Sequence, residues 1–272
     1  MPAVLAEVMT TIDRLWPLEG AEPWDAPGLV TGDPGAAVER VLFAVDAVRA
    51  TVDEAIDTRA DLLIAHHPLL LRGVTTIAED RYKGALLARL IRAECALVAA
   101  HTNADVVEHG TSAVLAARLG LQELRPIVPG ADPALGLGRV GRLPEPTTLG
   151  RLARLLAEIL PATATGVRVS GGYDDPVATI ALCGGAGDSL LGDPAVRAAD
   201  AYITADLRHH PASEAREQAL LGGGPALIDV SHWASEWLWL DAAAAELRAA
   251  QPELDVRVSE LRTDPWDFQV VQ

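Results

Sequence analysis

Apolar residues recur at two spacings along this chain, and the alternation between them outlines a fold. Val4, Leu5, Val8, Ile12, Leu15 and Trp16 lie at helical spacing, and Pro17 stops the run. WDAPGLVTGDPG then reads as a Gly/Pro-punctuated loop around a short extended piece. VERVLFAVD has the character of a strand and ATVDEAIDTRA of a helix. Strand ADLLIAH, helix KGALLARLIRAE, strand CALVAAH and helix TSAVLAARLGL follow. Short apolar strands alternating with helices predict an α/β sheet with parallel pairs.

Between Arg125 and Pro146 the pattern gives way to Pro, Gly and isolated apolar residues, which predicts a lobe boundary. Beyond it a second α/β series runs from helix LGRLARLLAEIL through strands GVRVSG and VATIALCGG, helix DPAVRAA, strand DAYITAD, helix PASEAREQALL and strand PALIDVS. A helix from about His232 to Ala250 and a strand LDVRVSE come last. The expected organisation is a first lobe over 1–124, a second over 125–230, and a C-terminal helix and strand over 231–272 that complete a functional site. ADLLIAHHP echoes ADAYITADLRHHP, and CALVAAHTNAD echoes PALIDVSHWASE, so an ancient duplication is expected.

Composition narrows the function. The 272 residues are long enough for one large domain or two lobes. With 38 acids against 22 bases the formal net charge is −16, a field that repels phosphate backbones and disfavours broad nucleic-acid binding. Cys95 and Cys183 sit in apolar strands and read as buried, reduced thiols. The first seventeen residues carry Glu7 and Asp13 and no basic leader, and no long apolar stretch lacks charges, so a soluble cytoplasmic protein is expected.

The chemistry gathers at strand ends. His66 and His67 close the run ADLLIA, and Pro68, which cannot donate to a ladder, predicts that the strand stops there. Neighbouring side chains of a strand point to opposite faces, so the two imidazoles are expected to serve two different ions. His232 and Glu236 are four apart, on one face of a helix that Ser231 caps. Asp105 adds a carboxylate just past CALVAA. Two divalent cations carry four positive charges, of which Asp105 and Glu236 neutralise two, an arrangement that favours activated water. Asp46 is a candidate hydrogen-bond partner for a metal-bound imidazole, or a plain turn acid. Asp206 could orient a ligand or cap a helix. CGGAGDS matches neither G-x-G-x-x-G nor a P-loop; its glycines suit a tight turn and close backbone approach.

With those residues in view, the segments WDAPGLVTGD, VLFAVD, ADLLIAHHPLLLRG, HTNAD, CGGAGDS, ADAYITAD and SHWASE, in that order, resemble the Nif-three-like dinuclear metal-centre family, also known as type 2 GTP cyclohydrolase I. The likeness covers essentially the whole chain, in the short form without an inserted domain. It implies two similar, intertwined α/β lobes with mixed, mostly parallel sheets, assembled as a toroidal homohexamer. It also implies two divalent ions (Zn, Fe, Mn, Co or Ni), one held by His67 and Asp105, the other by His66 and His232, with Glu236 bridging. His101 and His210 would be the groups near the metals that carry protons, while His209 reads as solvated. Ser231, Ser235 and Ala205 stand where the family has Gly, Thr and Gly. The implied activity is hydrolysis of a nucleotide or small phosphorylated substrate, GTP ring opening being the specific form; a non-catalytic metal-binding regulatory or scaffold protein is the alternative. Arg72 and Arg208, flanking the two HHP segments, are the candidate phosphate contacts.

Overall fold

The computed structural model describes residues 3–271, and the chain divides into two compact units. Residues 1–107 and 240–263 make the first; 108–239 and 264–272 make the second.

The first unit opens with β1 (Ala3–Val4), α1 (Leu5–Leu15), β2 (Gly28–Thr31), β3 (Ala37–Val38) and β4 (Arg40–Ala44). Then come α2 (Arg49–Asp57), β5 (Leu62–Ala65), α3 (Tyr82–Arg92), β6 (Ala96–Ala99) and the one-turn helix α4 (Thr102–Asp105). β5 and β6 are buried at every position, which is why they read as unbroken apolar runs and not as alternating ones. Both pair in parallel around β5, which lies between β4 and β6, while β2 closes one edge antiparallel to β6. Trp16 and Phe43, both fully buried, meet edge to face with centroids 6.0 Å apart and anchor this unit's core. Two residues beyond α2 and α3 stand Arg59 and Glu94, each in the left-handed region at φ +55°, where glycine is the usual solution.

The second unit begins with α5 (Thr111–Arg118), β7 (Gln122–Arg125), β8 (Val128–Pro129), β9 (Gly136–Leu137), β10 (Arg139–Thr148) and α6 (Leu149–Ile159). β11 (Arg168–Ser170), β12 (Pro176–Ala186), α7 (Pro194–Arg197), β13 (Ala201–Ala205), α8 (His209–Leu220) and β14 (Ala226–Val230) follow. Its sheet runs β11-β14-β13-β12-β10-β7. β12, β13 and β14 are mutually parallel, but β10 pairs antiparallel with both β12 and β7, and β11 with β14. Mostly parallel pairing therefore describes the first sheet only; the second is mixed.

The boundary expected at 124/125 lies instead at 107/108. The Gly/Pro-rich stretch is no linker: its glycines turn the chain between β7, β8, β9 and β10, and Gly136 and Gly138 have positive φ. A Cβ on Gly136 would stand 2.1 Å from the Val128 carbonyl, so the tight β8–β9 pairing requires glycine there. Nor does 231–272 form one segment. α9 (His232–Ala250) starts in the second unit, and Leu240–Thr263, including β15 (Asp255–Val258), belongs to the first, where β15 pairs in parallel with β4. Among the described residues no helix is long and apolar enough to cross a membrane.

Candidate metal centre

In the first unit three adjacent parallel strands, β4, β5 and β6, deliver their C-terminal ends to one place, where α/β sheets commonly build sites. Two ladder bonds carry the backbone past β5: His66 N–H donates to the Ala44 carbonyl (3.0 Å) and His67 N–H to that of Val45 (2.9 Å). The two rings do not diverge as alternation along a regular strand predicts. Their centroids are 5.1 Å apart, and each lies within 5.6 Å of the His101 ring. His66, His67 and His101 each offer a ligand atom within 4.8 Å of the others. The strand ends at Ala65 and the backbone bends at His66 and His67, so the pleat no longer separates the two rings.

Hydrogen bonds fix which nitrogen each ring offers. His66 Nδ1 lies 2.8 Å from the Ala100 carbonyl; a carbonyl only accepts, so Nδ1 carries the proton and Nε2 the lone pair. His67 Nδ1 is 2.7 Å from Asp46 Oδ1, and His101 Nδ1 is 2.8 Å from Asp25 Oδ1. Thr263 Oγ1 donates to the other oxygen of Asp46. Imidazoles held this way at Nδ1 present Nε2 to a cation. One turn beyond His101, Asp105 Oδ1 stands 3.8 Å from His66 Nε2.

Electrostatics follow burial. Burial and the neighbouring His66 ring hold the His101 imidazole below its ordinary range, against the opposite pull of Asp25 and Asp105. Burial would raise the Asp25 carboxyl, but hydrogen bonds from His101 and Thr102 outweigh it and hold that group below its usual value.

The second unit repeats the plan with β12, β13 and β14. His232 opens α9 directly after β14, and its Nε2 lies 2.9 Å from Glu236 Oε1 one turn on. Asp206, the residue after β13, sits in the left-handed region at φ +57° and brings Oδ2 to 2.7 Å from His232 Nδ1. Burial opposes charge on this imidazole, yet the Glu236 and Asp206 carboxylates together push it up to about 11. Two carboxylates around one imidazole make an electronegative pocket that favours positive charge. Gly185, at the end of β12 and φ +68°, packs against the pair, and a Cβ there would stand 2.4 Å from Glu236 Oε1. Its N–H donates to Ser235 Oγ (2.9 Å), and its carbonyl accepts from Thr204 Oγ1 (3.0 Å). Ser231 Oγ accepts from Ala234 N–H at 3.2 Å, the capping role its position suggests.

The residues singled out in the sequence thus fall into two sets: His66, His67, His101 and Asp105 in the first unit, His232 and Glu236 in the second. Asp46 and Asp206 both take the orienting role. His210 lies in the exposed first turn of α8, its ring 5.3 Å from that of His209; from this end of β13 it is Asp206 that reaches His232. Arg208 pairs with Asp188 at 2.6 Å. Three participants were given no role by the sequence: Asp25, although it lies in the quoted segment WDAPGLVTGD, Thr263 and the Ala100 carbonyl. The glycine-rich CGGAGDS segment did signal a close backbone approach, which Gly185 makes.

Known proteins resemble this chain in sequence and in fold. A GTP cyclohydrolase 1 type 2 homolog from Streptomyces coelicolor is 50% identical over 273 residues, covering 98% of this chain and 94% of the relative. One from Mycobacterium tuberculosis is 36% identical over 376 aligned positions, covering 98% of each, so the mycobacterial protein carries residues that this chain lacks. Among solved structures, a Bacillus cereus protein related to NIF3 superposes with a TM-score of 0.90 at 23% identity, covering 99% of this chain and 100% of that one. A Staphylococcus aureus protein reaches 0.88 at 27% identity, with the same coverage. The sequence profile of Duf34/NIF3 (NGG1p interacting factor 3) matches residues 3–265, and the chain belongs to that family.

Proposed function

We propose that the chain is a dinuclear-metal-dependent hydrolase of a nucleotide or other small phosphorylated substrate, with GTP ring opening of the type 2 cyclohydrolase kind as its specific form. The observation that carries the reading is the oriented histidine trio, three ligand atoms within 4.8 Å of one another. Imidazole nitrogens with nearby carboxylates form a donor set that suits Zn, Fe, Mn, Co or Ni. In this reading His66, His67, Asp105, His232 and Glu236 would hold the two ions; the assignment rests on donor chemistry and family membership. Bound cations would polarise an electrophilic carbon or phosphorus and lower the pKa of water.

The chain's own residues do the rest. Asp46, Asp206 and the Ala100 carbonyl fix the tautomers of His67, His232 and His66. His101 is oriented by Asp25 through Nδ1, which leaves Nε2 as the atom suited to take up a proton. His210, exposed on α8, is the second proton carrier in this scheme.

The test pairs elemental analysis and anomalous scattering of the purified protein with turnover of GTP, read as the absorbance change of the purine. Bound transition metal, and turnover that a Glu236→Ala variant loses while keeping its fold, are expected. No metal bound after loading would overturn the reading. Tight metal retention without turnover across a broad substrate panel would establish the non-catalytic alternative instead.

A further inference from the structure

We infer that Trp24 is the base-recognition residue of this site, stacking on the planar heteroaromatic ring of the substrate; the inference rests on the hydrolase reading above and names the part of the substrate that the first unit grips. Trp24 is 59% exposed, as is Trp266 at 61%, whereas Trp16 and Trp239 are wholly buried; of the two exposed indoles it is Trp24 that lies against the ring of His101. It stands beside the histidine trio: its ring centroid is 5.9 Å from that of His101, with the planes 77° apart. Rings so nearly perpendicular do not stack on each other, so at least one indole face stays open to a flat ligand.

The loop that carries Trp24 is clamped. Asp25, the next residue, accepts from Thr102 N–H at 3.1 Å and binds His101 Nδ1 at 2.8 Å. Glu22 N–H donates to Thr102 Oγ1 at 3.0 Å, and Asp25 N–H to the Glu22 carbonyl at 2.9 Å. Pro23 and Pro27 further restrict the backbone on both sides. The exposed indole is therefore fixed at the rim of the imidazole cluster, and one aspartate positions both Trp24's loop and His101. Charge selects the kind of ligand. No Lys or Arg occurs between Leu15 and Glu39, whereas Glu19, Glu22 and Asp25 do. Such a loop has no cation to offer a phosphate, and what it contributes is an aromatic surface for the uncharged ring. Stacking needs no particular hydrogen-bond pattern, so it selects for ring character more than for one base.

The test compares guanosine 5′-monophosphate with ribose 5-phosphate, which share the sugar phosphate and differ in the base. Binding of each to metal-loaded wild type, Trp24→Phe and Trp24→Leu is measured by calorimetry, with sedimentation to confirm unchanged assembly. Wild type is expected to prefer the nucleotide. Trp24→Leu should lose roughly tenfold in affinity for it, within the range of one base–aromatic stack, with Trp24→Phe in between and ribose 5-phosphate binding unchanged. Nucleotide binding by Trp24→Leu equal to wild type, or a wild type that does not prefer the nucleotide over the sugar phosphate, would overturn the assignment and leave the hydrolase reading standing. A wild type that binds neither ligand would sink both.

Discussion

The two HHP segments carry the same three letters and do different work. In the first unit the motif begins directly after β5, at the strand's C-terminal end, and its imidazoles enter a cluster with His101. In the second unit three residues intervene after β13, so His209 and His210 fall in the exposed first turn of α8, and the strand-end position belongs to Asp206. Both strand ends face a histidine at the end of the next strand, β6 or β14, with a carboxylate one turn further on. The first unit therefore offers a set rich in ligand atoms, the second a single imidazole between two carboxylates. A short offset from a strand end decides whether a histidine is a donor or a surface residue.

That asymmetry can be broken most sharply at the donors. His66→Ala removes a wholly buried ring from the larger set, and Glu236→Ala a buried carboxylate from the smaller. Each is expected to weaken metal binding by more than about 100-fold, beyond what loss of an orienting partner causes. His66→Ala should cost the greater share of bound metal by elemental analysis; equal losses would mean that the units contribute equally.

The orienting carboxylates come next. Asp46→Asn and Asp206→Asn should each cost about 10–100-fold in metal affinity. Asp46, 24% exposed, should cost more than Asp206, 61% exposed, because water screens the latter. Competition with a chelator reads both.

Gly185→Ala tests the backbone of the second set. The left-handed conformation alone costs on the order of 1–2 kcal/mol for a residue with a Cβ, and the added carbon must displace Glu236. Urea unfolding should register that loss together with weaker metal binding, and the first set should keep its geometry.

The smallest effect concerns Cys95, which lies at the opposite end of β6 from the histidines. Burial pushes its thiol up to about 12, whereas an unfolded cysteine titrates near about 8.5. Below about pH 8.5 both states hold the proton. Above it the unfolded chain sheds the proton first, so stability should fall as pH rises towards about 12. Urea midpoints at about pH 8 and about pH 10 should show this slope in wild type and not in Cys95→Ala, with metal binding unaffected in the variant.

Much of this was legible in the sequence. The long apolar runs named the strands, because a parallel strand buried on both faces has no polar positions to hide it. α9 was read at its observed ends, since Ser231 caps it and the residues after Ala250 break the pattern. The misreadings have physical causes. Gly and Pro mark turns, and turns occur inside an antiparallel sheet as readily as between lobes, so the stretch ahead of β10 passed for a boundary. The ends of α2 and α3 were blurred because Arg59 and Glu94 occupy left-handed positions without being glycine. Asp25 reaches His101 across 76 positions and Thr263 reaches Asp46 across 217, only through the fold, and no local pattern announces such pairs.

The last of those separations has a temporal meaning. Thr263 grips the carboxylate that aims His67, yet it is translated 217 residues after Asp46. At typical elongation rates that interval is roughly 10–40 s. Throughout it Asp46 lacks the hydroxyl that later grips it, so the aim of His67 is settled late in the synthesis of each new chain, at a moment set by the ribosome.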